Sequence, residues 1–107
     1  MIRHSFRKRV NKYNATATTV DGIRFDSARE AKLYCDLKLQ RDAGEVLFFL
    51  RQVPFHLPGG TVYRADFMVF YSDGTSKVLD AKGRETKEFK VKKREVEAIY
   101  PVEIELI

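Results

Sequence analysis

The chain has 107 residues, of which 44% are hydrophobic and 33% are charged, and its formal net charge is +5. This length fits one compact domain and excludes a catalytic domain joined to a separate recognition domain. The sequence has no apolar run near the ~18 residues of a membrane span, no secretory signal, and a single cysteine, Cys35. We therefore expect a cytoplasmic protein without an intramolecular disulfide.

The chain begins with a basic arm, residues 1–19, which precedes the folded domain at residues 20–107. Residues 1–24 contain six Lys and Arg side chains against a single acidic one, Asp21, whereas the remainder is neutral overall. A basic arm on a neutral body is typical of a protein that binds a polyphosphate, and a solvated tail would have the same composition. The candidate phosphate contacts in the arm are Arg3, Arg7, Lys8, Arg9 and Lys12.

One helix and three strands are predicted after a turn at Val20-Asp21-Gly22. Ser27 can cap a helix that continues to about Ala43 and stops at Gly44. Three segments rich in β-forming residues follow, separated by short turns, at residues 45–57, 62–71 and 75–82.

A second helix and a last strand complete the predicted order αβββαβ. Thr86 can cap the helix, Pro101 ends it, and residues 102–107 alternate like a strand. The short turns predict an antiparallel meander, and the crossover through the second helix predicts a last strand parallel to the third. We expect an α+β fold, in which a mixed four-stranded sheet carries one helix on each face.

The loop Ser72-Asp73-Gly74 sets the register between the second and third strands. If it is a three-residue hairpin loop with Gly74 left-handed, Asp66 lies directly opposite Asp80, and Arg64 lies opposite Lys82. A two-residue loop would instead place the two aspartates on opposite faces of the sheet.

Two facing aspartates repel each other unless one is protonated or a cation lies between them. Carboxylate oxygens suit Mg²⁺, with Asp66 and Asp80 as ligands and the Ala81 carbonyl as a further one. Lys82 would then lie beside the ion, where it can bind a phosphate oxygen or orient a water. The alternative is an ordinary exposed Asp80–Lys82 pair, with a salt bridge between Asp66 and Arg64.

Glu30 is the fourth candidate, because it shares the inward stripe of the first helix with Leu33, Tyr34 and Leu37. Its carboxylate could reach the sheet and complete the shell of the metal. It could equally close a capping box with Ser27.

Glu30, Asp66 and Asp80-Ala81-Lys82 on an αβββαβ frame resemble the PD-(D/E)XK nuclease superfamily. Residues 11–14 and 21–27, Asn-Lys-Tyr-Asn and Asp-Gly-Ile-Arg-Phe-Asp-Ser, further resemble small phage-encoded proteins of that superfamily. The residue before Asp66 is Ala65, where the superfamily pattern has proline.

The resemblance implies a metal-dependent phosphodiesterase that acts on DNA and leaves 5′-phosphate and 3′-hydroxyl ends. It implies Mg²⁺, for which Mn²⁺ can substitute, held by Asp66, Asp80 and Glu30, with Lys82 as the catalytic lysine. Distant relatives of similar size include Holliday-junction resolvases and transposase endonuclease subunits, which by analogy suggests branched DNA as substrate. A phage-encoded protein would act in the cytoplasm of the host cell.

Three further residues are candidates with simpler alternatives. Gln52, at the end of the first strand, is a candidate to reach the same site and support a ligand, and the alternative is that it is an ordinary polar residue of an edge strand. Lys87 and Lys90, at the start of the second helix, are candidate phosphate contacts, although a solvated helix face would look the same.

We expect from these residues a magnesium-dependent endonuclease with DNA as its partner. A homodimer that cuts two strands is compatible with so small a recognition surface. One alternative is a non-catalytic nucleic-acid-binding module on the same fold, and another is a structural phage component whose arm tethers it to packaged DNA.

Overall fold

The computed structural model describes residues 17–107, which form two α-helices, a short 3₁₀ helix at Pro58–Gly60, and six strands in two sheets. The elements are β1 (Thr18–Val20), β2 (Ile23–Phe25), α1 (Ala28–Asp42), β3 (Val46–His56), β4 (Val62–Tyr71), β5 (Ser76–Asp80), α2 (Lys87–Ile99) and β6 (Ile104–Leu106). None of the helices in this part of the chain is long and apolar enough to cross a membrane. The cations predicted to bind phosphate in the arm, at positions 3, 7, 8, 9 and 12, lie outside the described residues.

The main sheet has four strands in the order β3-β4-β5-β6. Strands β3, β4 and β5 are antiparallel neighbours, and β6 pairs with β5 in parallel. Short turns can join only antiparallel neighbours, whereas the return through α2 allows the parallel pair. The predicted α+β fold with a mixed four-stranded sheet is therefore confirmed.

Both helices begin where the sequence predicts. The Ser27 hydroxyl accepts a hydrogen bond from the Glu30 N–H at the start of α1, and the Thr86 hydroxyl accepts one from the Phe89 N–H at the start of α2. Each bond satisfies a backbone donor that the first helical turn leaves free.

The two helices cover opposite faces of the sheet, and each face has its own core. The cluster under α1 contains Phe25, Ala31, Leu33, Tyr34, Leu37, Val46, Phe67, Val69 and Leu79. The cluster under α2 contains Phe55, Leu57, Tyr63, Ala65, Val78, Phe89, Val96 and Ile104.

A separate hairpin of β1 and β2 precedes α1, and the sequence predicted only its turn. Val20 pairs with Ile23, and the two turn residues Asp21 and Gly22 have φ of 54° and 76°. Left-handed conformations at both central residues belong to the tightest hairpin turn. Because β1 begins at Thr18, the predicted boundary between arm and domain lies inside this hairpin.

Strands β3 and β4 change the face they present at one level of the sheet. Ala65 packs in the cluster under α2, but Phe67 packs in the cluster under α1, although alternation would put both on one side. The strand pairs on either side of this level are Arg51↔Phe67 and Val53↔Ala65. Gln52, between them, has a left-handed φ of 53°. This backbone irregularity changes the direction in which the neighbouring side chains point.

Candidate functional site

The register that the sequence predicts between β4 and β5 is confirmed. Gly74 is left-handed, with φ of 91°, and the Tyr71 N–H donates to the Thr75 carbonyl at 2.8 Å. The last ladder pair of this hairpin is Phe67↔Leu79. One residue further along each strand, Asp66 and Asp80 stand level with each other.

Carboxylates replace the backbone ladder where the two strands part. Oδ1 of Asp80 accepts a hydrogen bond from the Asp66 N–H at 3.0 Å, and Oδ2 of Asp66 accepts one from the Ala81 N–H at 2.9 Å. These two bonds hold each aspartate against the backbone of the opposite strand. The sheet therefore fixes both acidic side chains at its end.

Asp80 is the most unusual acidic residue of the described chain. Its exposed fraction is 0%, and its Oδ2 is buried without a hydrogen-bond partner. Burial raises the pKa of Asp80, while the charge of Lys82 and the bond from the Asp66 N–H act in the opposite direction. A buried carboxylate oxygen without a partner lowers the stability of the fold, and binding a proton or a cation would remove this penalty.

Lys82 was predicted to lie on the third strand of the meander, but it follows the end of that strand by two residues. Strand β5 ends at Asp80, and the half-buried Lys82 holds its ammonium 5.8 Å from the centroid of the Phe89 ring. Since the ladder stops before this level, the predicted pairing of Lys82 with Arg64 is not among the observed strand pairs. The strands part here because carboxylate bonds have replaced the ladder.

Glu30 turns its side chain toward the sheet. It is only 6% exposed, and its Oε2 accepts a hydrogen bond from Nε2 of Gln52 at 3.0 Å. The pKa of Glu30 is raised to about 7, chiefly by burial and next by the charge of Asp66, although the charge of Arg51 lowers it. The backbone of Glu30 takes part in the helix cap, while its carboxyl group is linked to Asp66 through Gln52. We call Glu30, Asp66 and Asp80 the acidic cluster.

Gln52 links two of the predicted site residues. Its Nε2 lies 3.0 Å from Oε2 of Glu30 and 3.4 Å from Oδ1 of Asp66. A left-handed backbone costs a residue with a side chain about 1 kcal/mol or more, and such strain is often found at functional sites. Gln52 therefore contacts two acidic residues of the cluster, which an ordinary polar residue of an edge strand would not do.

Arg51 is a neighbour of the cluster that the sequence reasoning missed. Its guanidinium lies over the Phe25 ring at 4.8 Å from the centroid, on the α1 side of the sheet where Gln52 meets Glu30. The available signal was a charged side chain in the middle of an apolar strand, between Leu50 and Val53.

The acidic cluster consists of carboxylate oxygens, which are suitable ligands for a hard cation, but these side chains do not point to one common position. Among residues 17–107, no three His, Cys, Asp or Glu side chains are grouped closely enough to hold a metal ion. The amide of Gln52 lies between Glu30 and Asp66, and each aspartate gives one oxygen to a backbone N–H. The partnerless Oδ2 of Asp80 and the purely oxygen donor set nevertheless fit Mg²⁺, provided that side chains rotate on binding.

Lys87 and Lys90 are both exposed on the first turns of α2, but they line different shallow grooves. Lys87 lines one with Thr61, and Lys90 lines the other with Glu97. Their contact with phosphate stays a prediction for each of them separately.

Comparison with known proteins gives a family but no activity. Neither a curated protein nor a solved structure matches the chain. Residues 10–106 match a family described as a protein of unknown function, DUF1064. The match covers nearly the whole sequence, including every strand and helix described above, and the chain therefore belongs to the DUF1064 family.

Proposed function

We propose that this protein is a magnesium-dependent endonuclease that hydrolyses phosphodiester bonds in DNA. The observation that carries the proposal is the buried Asp80, whose Oδ2 has no partner, held level with Asp66 at the end of a hairpin. A buried carboxylate oxygen without a partner costs stability, so a ligand of the carboxylates is a physical reason to keep it.

Asp66, Asp80 and Glu30 are the side chains that would hold Mg²⁺ or Mn²⁺, with the Ala81 carbonyl as a further ligand. When bound, such an ion polarises a phosphate and makes a water more acidic. Gln52 holds the carboxyl group of Glu30 in place through its 3.0 Å hydrogen bond. The high pKa of Glu30 means that its ionised form needs a cation nearby.

Lys82, two residues after Asp80, would supply a positive charge at this site. The charge of Lys82 lowers the pKa of Asp80, against the effect of burial. From this position Lys82 can orient an attacking water or stabilise the charge that develops on the phosphate oxygens. The ammonium of Lys82 lies over the ring of Phe89, 5.8 Å from its centroid.

Contacts with the DNA backbone are assigned to the basic arm and to Lys87 and Lys90. Phosphate contacts of this kind position the nucleic acid without selecting sequence. Selectivity would then come from the shape of the DNA, as in the branched substrates of the distant relatives named above.

A non-catalytic nucleic-acid-binding module is the second candidate. It is favoured by the lack of a converged acidic group among residues 17–107. Under this alternative the protein binds DNA with or without a divalent ion and cuts none.

A cleavage assay separates the two candidates. Full-length protein is incubated with Mg²⁺ or Mn²⁺ on supercoiled, linear and four-way-junction DNA, beside Asp80→Asn. The control is Asp42→Asn, which changes an exposed aspartate at the end of α1. We expect cleavage by the parent and the control but not by Asp80→Asn. Parent protein that binds all three DNAs and cuts none supports the binding module instead.

A second copy of the chain is the protein partner that we propose, along strand β3. This strand lies at the edge of the sheet, and Leu47, Phe48 and Leu50 are 60%, 48% and 47% exposed on it. An apolar strand edge is a template for pairing with another chain. Light scattering should give a dimer for the parent and a monomer for Phe48→Lys, and a parent that is monomeric at all concentrations contradicts the proposal.

A further inference from the structure

Arg51 forms no ion pair with an acidic side chain of the described residues. The ion pairs among residues 17–107 involve other cations, and the Nε of Arg51 is buried without an acceptor. Its guanidinium rests on the ring of Phe25, which is 1% exposed. The arginine is thus held in place by an aromatic ring but lacks a hydrogen-bond acceptor.

This arrangement points to a ligand from outside the chain. A cation over an aromatic face gains about 0.5–2 kcal/mol, but the ring accepts none of the in-plane N–H bonds of the guanidinium. A buried N–H without an acceptor is itself costly. The planar fork of arginine matches the oxygens of a phosphate, which can accept two parallel bonds.

The backbone at Gln52 places this arginine beside the acidic cluster. Arg51 reaches Phe25 under α1, and the next residue, Gln52, reaches Glu30 on α1. Consecutive strand residues ordinarily point to opposite faces, so the left-handed φ of Gln52 is what brings both to one side.

We propose that Arg51 binds a phosphate of the DNA backbone next to the acidic cluster. The proposal rests on the proposed nuclease function and adds a binding residue to it. A small free anion would be repelled by Glu30 and Asp66, whereas a phosphate of a long polyanion is brought there by contacts elsewhere. Phe25, at the end of the hairpin before α1, is the support that fixes the arginine.

Two substitutions and a matched control test the proposal. Arg51→Gln removes the charge, and Arg51→Lys keeps the charge but loses the planar fork. The control is Arg41→Gln, because Arg41 also lies over an aromatic ring, Phe49, at 5.4 Å. Arg41 follows Glu30 by eleven helical positions, roughly 16 Å along α1, so it lies away from the cluster.

Binding is measured with duplex DNA in Ca²⁺ at several salt concentrations, and cleavage in Mg²⁺ is measured separately. Arg51→Gln should weaken binding at least about tenfold, since a hydrogen bond to a charged group is worth ~1.5–3 kcal/mol. The slope of log affinity against log salt should fall by about one, as for one lost phosphate contact. Arg51→Lys should recover part of the affinity, and Arg41→Gln should match the parent.

The outcomes separate this proposal from the nuclease itself. If the parent cuts DNA but Arg51→Gln binds with the parent's affinity and salt slope, the phosphate site is wrong and the nuclease stands. If Arg51→Gln weakens binding as expected but the parent never cuts, the phosphate site stands and the nuclease falls. Equal losses in Arg51→Gln and Arg41→Gln would also overturn the site, because the effect would then be one of net charge. Circular dichroism checks that each variant is folded.

Discussion

Glu30→Gln is expected to make the protein more stable above neutral pH when no divalent ion is present. The carboxyl group of Glu30 is buried, and its pKa rises from an ordinary value of 4.5 to about 7. In the unfolded chain Glu30 ionises near its ordinary pKa, while in the folded protein it keeps its proton to higher pH. Glu30 therefore does not lower the free energy of unfolding below pH 4.5, where it is protonated in both states. The free energy of unfolding falls as the pH rises from 4.5 toward 7.

The size of this loss follows from the difference in pKa. Each tenfold change in proton affinity is worth about 1.4 kcal/mol, so the full difference amounts to roughly 3 kcal/mol. Solvent screening at the partly open cluster lowers this to about 2 kcal/mol. Glutamine keeps an oxygen that can accept from Gln52 and removes the charge, so the variant should gain about that much at pH 8 and nothing at pH 4.

Urea unfolding followed by circular dichroism in EDTA, between pH 4 and pH 8, measures this effect. Glu95→Gln on α2, an exposed position, is the matched control and should follow the parent at every pH. Buried Asp80 acts in the same direction, so a smaller slope should remain in Glu30→Gln. A parent whose stability does not fall across this range, or a variant equally destabilised at both ends, would refute the reasoning.

Three other predictions concern catalysis, backbone strain and DNA binding. Lys82→Met should lower the cleavage rate by about 10²-fold or more with little change in DNA affinity. The control Lys77→Met, on strand β5, should cut at the parental rate, and equal rates in both variants would remove the role of Lys82. Gln52→Gly should be more stable than Gln52→Ala by about 1 kcal/mol in urea unfolding, because the φ of 53° is strained for alanine, and the reverse order would mean an ordinary strand backbone. Replacing Arg7, Lys8 and Arg9 together by glutamine should lower the salt dependence of DNA binding. An unchanged slope would show that these three residues make no phosphate contact.

The hairpin between β4 and β5 shows what local sequence can predict. Gly74 closes a three-residue loop, and the length of the loop fixes which residues of the two strands are paired, so it carries Asp66 to the level of Asp80. The helix caps at Ser27 and Thr86 were predictable for the same reason, since each depends on residues close in sequence.

The arrangement around Gln52 could not be predicted in the same way. No glycine or asparagine marks its left-handed backbone, and its amide finds Glu30 and Asp66 only when α1 and β4 have packed. Arg51 shares this origin, because the partner that holds it, Phe25, belongs to a hairpin far from it in sequence. The positions of Arg51 and Gln52 therefore depend on contacts between elements that are distant in sequence, which a local sequence pattern does not predict.

A crystal of the protein grown with Mn²⁺, examined by anomalous scattering, tests the metal site most directly. We predict a manganese peak within bonding distance of Asp66 and Asp80, with Oδ2 of Asp80 among its ligands and Gln52 turned away from Asp66. Manganese that binds only elsewhere on the protein, while these carboxylates keep their present hydrogen bonds, would contradict the account.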